Sequence, residues 1–305
     1  MTSTESRYQK CIDTSERVAW TINGVLSAGF DFKKRFLPET LAQVNGLGDL
    51  SDGEKLQLNQ IRGLTYAHLF GFVEEFIVRQ LIALAARYSG EQAVERRAIL
   101  RFAEEEVKHQ LLFEKTKSDL LRSLGDCGLV PGAGAVAGFV LGKSELCVLL
   151  LTTMLELTTM QHYTDIFSAS QERESLDPTF VNIFKSHWVE ESQHTKLDEL
   201  EVDRCATAVD QDKRETAIDE LLEIGGAFDG LLKAQVDLDL VSLEQLAGRK
   251  LADAAKERIG AAQHKAYRYT FLVSALQNPK FREQVGMLTK GGTAKIDAAA
   301  AALSA

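Results

Sequence analysis

The chain has 305 residues, 45% of them hydrophobic, with 35 basic and 44 acidic side chains and a formal charge of −9; this can bury a large core, and without a local basic cluster it argues against nucleic acid as a partner. Four scattered cysteines (Cys11, Cys127, Cys147, Cys205) with no Cys-x-x-Cys pair exclude a disulfide framework and a zinc knuckle. The start "MTSTESRYQKC" lacks the apolar centre of a signal peptide, and the most apolar run, "LCVLLLTTMLEL", is shorter than the ~20 residues of a membrane span, so a cytoplasmic protein with no membrane partner is expected.

Only four prolines occur, and strand-like alternation is nearly absent, so the chain reads as all-α. A short helix is expected from Thr14 to Ala28, then an irregular segment through Leu50. Ser51, three residues before Glu54, has the form of a capping box, and opens a helix to Tyr88, where Ser89-Gly90 stops it. A second helix runs from Glu91 to Gly125. The connector "GDCGLVPGAGAVAGFVLGK" follows, and a third helix spans Ser144 to Ser168. Asp177-Pro178 starts a fourth, with Asp as N-cap and Pro in the first turn, ending near Ala206. Two more helices are expected over 210–235 and 242–277, and the alanine-rich end "AKIDAAAAALSA" is expected to fray. Within the connector, "AGFVLGKS" fits a loosened phosphate-loop pattern, but no strand precedes it, so it is read as a loop joining helices.

The four central helices carry polar residues where packing residues belong. "HWVEESQH" places His187, Glu191 and His194 within roughly 60° of one another on a helix, beside Phe184. Glu191-x-x-His194 has the i, i+3 spacing that lets a carboxylate and an imidazole reach one ion. "RFAEEEVKHQLLF" repeats it as Glu106-x-x-His109, flanked by Ile99, Phe102 and Phe113. In "HLFGFVEEFIVRQLI", Glu74 has Phe70, Gly71, Ile77 and Val78 at i±3 and i±4, while Glu75 lies nearer a polar edge with Arg79; Glu74 is preferred as the inward acid, with Glu75 the alternative. Glu156 is the only charge between Glu145 and Asp165, and a lone carboxylate there costs several kcal/mol unless paired or metal-bound. The order Glu, Glu-x-x-His, Glu, Glu-x-x-His on successive antiparallel helices brings four carboxylates and two imidazoles to one level, the donor set of a carboxylate-bridged di-metal centre in ferritin-like bundles. Of the other histidines, His162 points roughly 120° away from Glu156 and is set aside; His68 and His264 are read as structural. Tyr163, seven residues after Glu156, falls on the metal face as a packed aromatic, with a hydrogen-bonding or radical tyrosine as the sharper alternative.

From Gly53 to Ala206 the pattern resembles the ferritin-like di-iron oxidase and oxygenase superfamily. His187, one turn before the last ExxH, makes it most similar to the p-aminobenzoate N-oxygenase family, which has an additional histidine ligand there. The resemblance implies seven ligands: Glu74, Glu106, His109, Glu156, His187, Glu191 and His194. It implies two iron ions, with manganese or a mixed Mn/Fe pair as alternative, and oxidation of an amine with O₂. The family tends to have Asp before each ExxH glutamate, where this chain has Glu105 and Glu190, which puts the hydrogen bonds behind the ligands in question. The expectation is one all-α domain over 1–305, a ferritin-like four-helix bundle with additional N- and C-terminal helices. It would N-oxygenate a small amine with two electrons from an external reductase or ferredoxin, a homodimer being left open. The rivals are a di-iron hydroxylase, desaturase or ligand-binding oxidase of a carbon substrate, an iron-oxidising storage protein, a radical-generating subunit, and a helical interaction protein with ion-paired buried acids. Length and extra helices count against storage, and the scarcity of Lys and Arg on the four faces counts against the last.

Overall fold

A computed structural model describes residues 4–305; residues 1–3, the first of the segment read as free of a signal peptide and of the expected domain, lie outside it. In chain order the helices are α1 (Thr4–Ser15), α2 (Ile22–Val25), α3 (Glu39–Ala42), α4 (Asp52–Ala85), α5 (Ala93–Leu124), α6 (Ala133–Leu141), α7 (Glu145–Gln161), α8 (Pro178–Thr207), α9 (Gln211–Ala247), α10 (Asp253–Arg268), α11 (Ser274–Leu276), α12 (Pro279–Leu288) and α13 (Gly292–Ser304). No strand occurs among the described residues, and no described helix is long and apolar enough to cross a membrane. The protein is all-α, a ferritin-like four-helix bundle of α4, α5, α7 and α8 with additional helices at both ends.

The capping signals act as expected. Ser51 Oγ accepts from Glu54 N at 3.4 Å and Glu54 Oε2 accepts from Ser51 N at 2.8 Å, closing the capping box of α4. Asp177 Oδ1 accepts from Phe180 N at 2.6 Å, with Pro178 at the first position of α8. The irregular segment before α4 is held by side chains of that helix: Asn59 Oδ1 accepts from Phe36 N at 2.8 Å, and its amide donates to Leu37 O at 2.7 Å. At Gly63 an added Cβ would lie 2.6 Å from Phe36 Cβ, so this crossing needs glycine.

Several expected elements differ. The helix expected over 14–28 is replaced by α1, ending at Ser15, and the single turn α2. Tyr8, Cys11, Ile12 and Ser15 form the buried helical stripe of α1. The connector holds a short helix, α6, opened by Gly132 at φ 100° and closed before the Gly142-Lys143 of the phosphate-loop look-alike. The break expected between 235 and 242 does not exist. α9 is continuous for 37 residues, with no Gly or Pro between 235 and 242 to break it, and it stops where Gly248 takes φ 63°. The helix expected over 242–277 is divided: α10 passes into a π-helical stretch, Tyr269–Val273, before α11. The C-terminal end does not fray; α13 is helical with Ile296 and Ala300 buried.

The apolar interior falls into two clusters. One gathers Phe76, Ile77, Ile99, Phe102, Met154, Leu157 and Leu197; the other gathers Phe70, Phe113, Tyr163, Phe184 and the irregular segment around Phe36. On α4, α5 and α8 the acid singled out by the sequence lies between a residue of one cluster and a residue of the other, while on α7 Glu156 lies between Met154 and Leu157 of the first cluster, the second beginning at Tyr163 just past the helix. The core is therefore a sandwich of two apolar regions with one polar layer between them.

Candidate metal centre

Each bundle helix contributes to the layer. Glu74, Glu106, His109, Glu156, His187, Glu191 and His194 are all buried, none above 3% exposed. The two ExxH pairs face each other. His109 Nδ1 lies 3.3 Å from Glu106 Oε1 and 3.5 Å from Glu191 Oε1, while His194 Nδ1 lies 3.1 Å from Glu106 Oε1 and 2.8 Å from Glu191 Oε2. The Glu106 and Glu191 carboxylates thus span both imidazoles. His187 Nε2 lies 2.7 Å from Glu191 Oε1 and 3.3 Å from Glu74 Oε1, and its ring is edge-on to that of His109, centroids 4.3 Å apart. Two overlapping donor groups result, Glu106–His109–Glu191–His194 and Glu74–His109–His187, each with ligating atoms within 4.8 Å of one another. Glu156 faces Glu191 and shares a cavity wall with Glu74, Glu106 and His187. The structure gathers all seven residues named from the sequence. Glu75 is instead turned outward to an ion pair with Arg79, as its polar-edge setting implied.

The electrostatics follow from dense negative charge in a dry layer. Burial pushes the Glu74 carboxyl up to about 7 despite the nearby His187 imidazole. Burial, then the neighbouring Glu191, raises Glu156 well above the usual carboxylate range. For Glu191 the burial penalty is outweighed by His187 and His194, which hold it well below that range. Burial alone would lower the His109 pKa, but Glu106 foremost raises it to about 10. Four carboxylates demand positive charge at their centre. No Lys or Arg forms an ion pair with Glu74, Glu106, Glu156 or Glu191 among the described residues; the basic groups beside Glu74, Glu106 and Glu191 are the imidazoles of His109, His187 and His194. Both oxygens of Glu74, Oε1 of Glu106, Oε1 of Glu191 and Nδ1 of His109 have no hydrogen-bond partner although they are buried. Orphaned donors of this kind are costly in a native core unless a ligand satisfies them. Hard carboxylate oxygens mixed with imidazole nitrogens fit a pair of iron or manganese ions.

The acids preceding each ExxH glutamate cross the bundle. Glu190 Oε2 lies 2.8 Å from His109 Nε2, and Glu105 Oε2 lies 2.9 Å from His194 Nε2. Each helix thereby orients the imidazole of the other, leaving Nδ1 toward the central acids. Glutamate at both positions is long enough to reach its partner. Around these pairs, Gln193 and Ser15 donate to Glu105 at 2.8 and 2.6 Å, and Lys108 pairs with Glu190. Trp20 stacks on His109 with centroids 6.1 Å apart.

The other three histidines have partners of their own. His68 Nε2 meets Val130 O at 2.9 Å, and His264 Nε2 meets Asp229 Oδ1 at 2.8 Å. His162 bridges Tyr66 OH (2.7 Å) and Ser274 Oγ (3.2 Å) and lines the cavity beside the acids, a position its angle from Glu156 did not reveal. Tyr163 packs on Trp188, ring centroids 4.8 Å apart. The metal-face placement assumed an α-helical period, and the backbone changes to a π-helix over His162–Ser168, whose wider turn shifts the register. Sequence reading missed Asp198, buried one turn after His194 with Oδ2 unpartnered; a second acid at i+4 on the same face was its signal.

No protein-family model matches the chain, and comparison with the curated proteins finds no relative. Among solved structures it is similar to a point variant of an R2-like ligand-binding oxidase with an aerobically reconstituted Mn/Fe cofactor, at 14% identity and TM-score 0.49, over 88% of this chain and 94% of that one. Another variant of such an oxidase, with an aerobically reconstituted Fe/Fe cofactor, is similar at 14% identity and TM-score 0.49, over 88% and 93% of the two chains.

Proposed function

We propose that the protein is a non-haem di-metal oxidase or oxygenase that uses O₂ to oxidise a small organic substrate. The observation that carries this reading is the convergence of seven buried donors, several without a partner, on one space. Glu74, Glu106, His109, Glu156, His187, Glu191 and His194 would hold two iron ions, or manganese and iron. A bound metal pair supplies O₂ activation. The chain's residues do the rest. Glu105 and Glu190 fix the tautomers of His194 and His109, and the apolar clusters on either side keep water from the layer.

The finer reading is N-oxygenation of an amine, supported by His187, a third neutral imidazole that adds a donor without adding charge. An amine R–NH₂, O₂, two electrons and two protons give R–NHOH and water, so an external electron donor is required. Oxidation of a carbon substrate is the second reading. The test is metal content after anaerobic reconstitution with Fe(II) or Mn(II). About two ions per chain are expected, with loss in Glu106→Ala and Glu191→Ala; wild-type metal content in both variants, or none in wild type, would sink the assignment.

A further inference from the structure

Two cavities lie end to end beside the acids. The inner one, of about 40 Å³, is lined by Glu74, Glu106, Glu156 and His187 on one side and by Thr158, Thr159 and His162 among others on the rest. The outer one, of about 250 Å³, has no polar side chain in its wall, which is built from α4, α6, α7, α9, α13 and the α10–α11 region. Both have Val73, Leu155, Phe228 and Phe271 in their walls, so they meet at this ring of four. Phe228 and Phe271 stand edge-to-face there, centroids 6.2 Å apart. Among the wall residues, Gly226 of α9 and Ala302 of α13 are exposed to solvent.

The sizes decide what fits. An apolar cavity of ~150 Å³ accepts a benzene ring. The inner chamber is far below that volume and holds only a small terminal group; the outer one exceeds it. A compact arylamine cannot place its ring in the inner chamber in this conformation, whereas a chain with its bulk in the outer cavity can place its end there. Neither cavity wall contains Lys or Arg, and the inner wall contains the three carboxylates Glu74, Glu106 and Glu156.

We infer that the substrate is an elongated apolar compound, its hydrocarbon portion lying in the outer cavity and its small terminal group passing the Val73–Leu155–Phe228–Phe271 ring to the acid layer. This rests on the oxidase reading and narrows its substrate class. The small residues of α9 and α13 are what leave the room: at Gly225 an added Cβ would meet no atom within 4 Å, although the residue lines the cavity.

The test uses the metal-reconstituted full chain and a series of n-alkylamines from butyl to dodecyl, with binding read by calorimetry. Affinity should rise about two- to fourfold per added methylene until the cavity is full, and p-aminobenzoate should bind no better than butylamine. Gly225→Leu, which fills space and favours the helix, should weaken dodecylamine binding at least tenfold while leaving butylamine affinity and metal content unchanged. Leu221→Trp is a second filling variant. Affinity independent of chain length, or dodecylamine binding unaffected by both variants, would overturn the inference. Chain-length-dependent binding, sensitive to both variants, by a protein that takes up no metal would support the occupant's class and overturn the oxidase reading instead.

Discussion

Glu190 offers the sharpest check on how the imidazoles are aimed. Its Oε2 lies 2.8 Å from His109 Nε2 while Oε1 holds Lys108, so one carboxylate joins a buried imidazole to a half-buried ammonium. Glu190→Asp withdraws the carboxylate by one methylene, about 1.5 Å. With the helices in place, the contact then stretches well past the ~3.2 Å limit of a useful hydrogen bond. Glu190→Gln keeps the reach and an accepting oxygen but loses the charge. A hydrogen bond to a charged group contributes ~1.5–3 kcal/mol, and each ~1.4 kcal/mol is tenfold in affinity. Asp should therefore weaken the tighter metal site by about ten- to a hundredfold, and Gln by less. Glu105→Asp should cost less than Glu190→Asp, because Gln193 and Ser15 also position Glu105. Competition titration with Mn(II) or Co(II) against a chromophoric chelator gives the affinities, and circular dichroism checks the fold. Affinity within twofold of wild type for Glu190→Asp, or a larger loss for Gln than for Asp, would show that this pair does not orient His109.

Other substitutions separate the roles of neighbouring residues. Glu74→Gln should lose at least half the bound metal, whereas Glu75→Gln, which removes only an exposed i, i+4 pair with Arg79, should change stability by less than ~0.5 kcal/mol; the reverse pattern in metal analysis would mean the helix is turned. His187→Ala should retain substantial metal yet lower amine turnover more than tenfold, and an effect confined to melting temperature would make His187 a packing residue. Asp239, buried beside Tyr267 and Gln235, is raised to about 6 by burial. Its folded pKa exceeds the unfolded one, so its ionisation costs nothing below about 4 and the full amount above about 6, roughly 3 kcal/mol. The melting temperature of Asp239→Asn relative to wild type should rise across that interval, and a difference independent of pH would contradict the assignment.

What the sequence made legible was what local physics decides. Ser51 and Asp177-Pro178 start α4 and α8 because a cap satisfies orphan amides within three residues, whatever the rest of the chain does. Glu74, Glu106, Glu156 and Glu191 were readable because a carboxylate on an apolar stripe has few explanations. The misreadings arose where the outcome depends on period or on distant partners. The helix expected over 242–277 was drawn at one period, whereas a π-helical stretch over Tyr269–Val273 divides it. The terminal alanines looked free to fray, yet Ile296 and Ala300 pack beneath α9 and the π-helical stretch before α11. The break expected near 235–242 had no glycine or proline to produce it, and the helix ran on to Gly248.

The same division explains why the donors were found from sequence and the cavity was not. A metal-binding layer is written within helices at spacings of three and four residues, so each helix announces its part independently. A substrate chamber is the space left when helices distant in sequence pack: Val73 and Leu155 from the bundle, Phe228 from α9, and Phe271 from the π-helical stretch before α11. None of these residues is unusual in its own window. Their consequence appears only when they close one ring, and that ring stands between a space too small for an aromatic substrate and a wholly apolar one large enough to hold it. The acid layer defines the class of chemistry, while the helices added outside the bundle define what can reach it. On the proposed reading, Val73 and Leu155 set half of the ring directly beside Glu74 and Glu156, whereas Gly225 and Leu221 of α9 lie apart from them, and substitutions there should change which molecule is oxidised without disturbing the residues that would hold the metals.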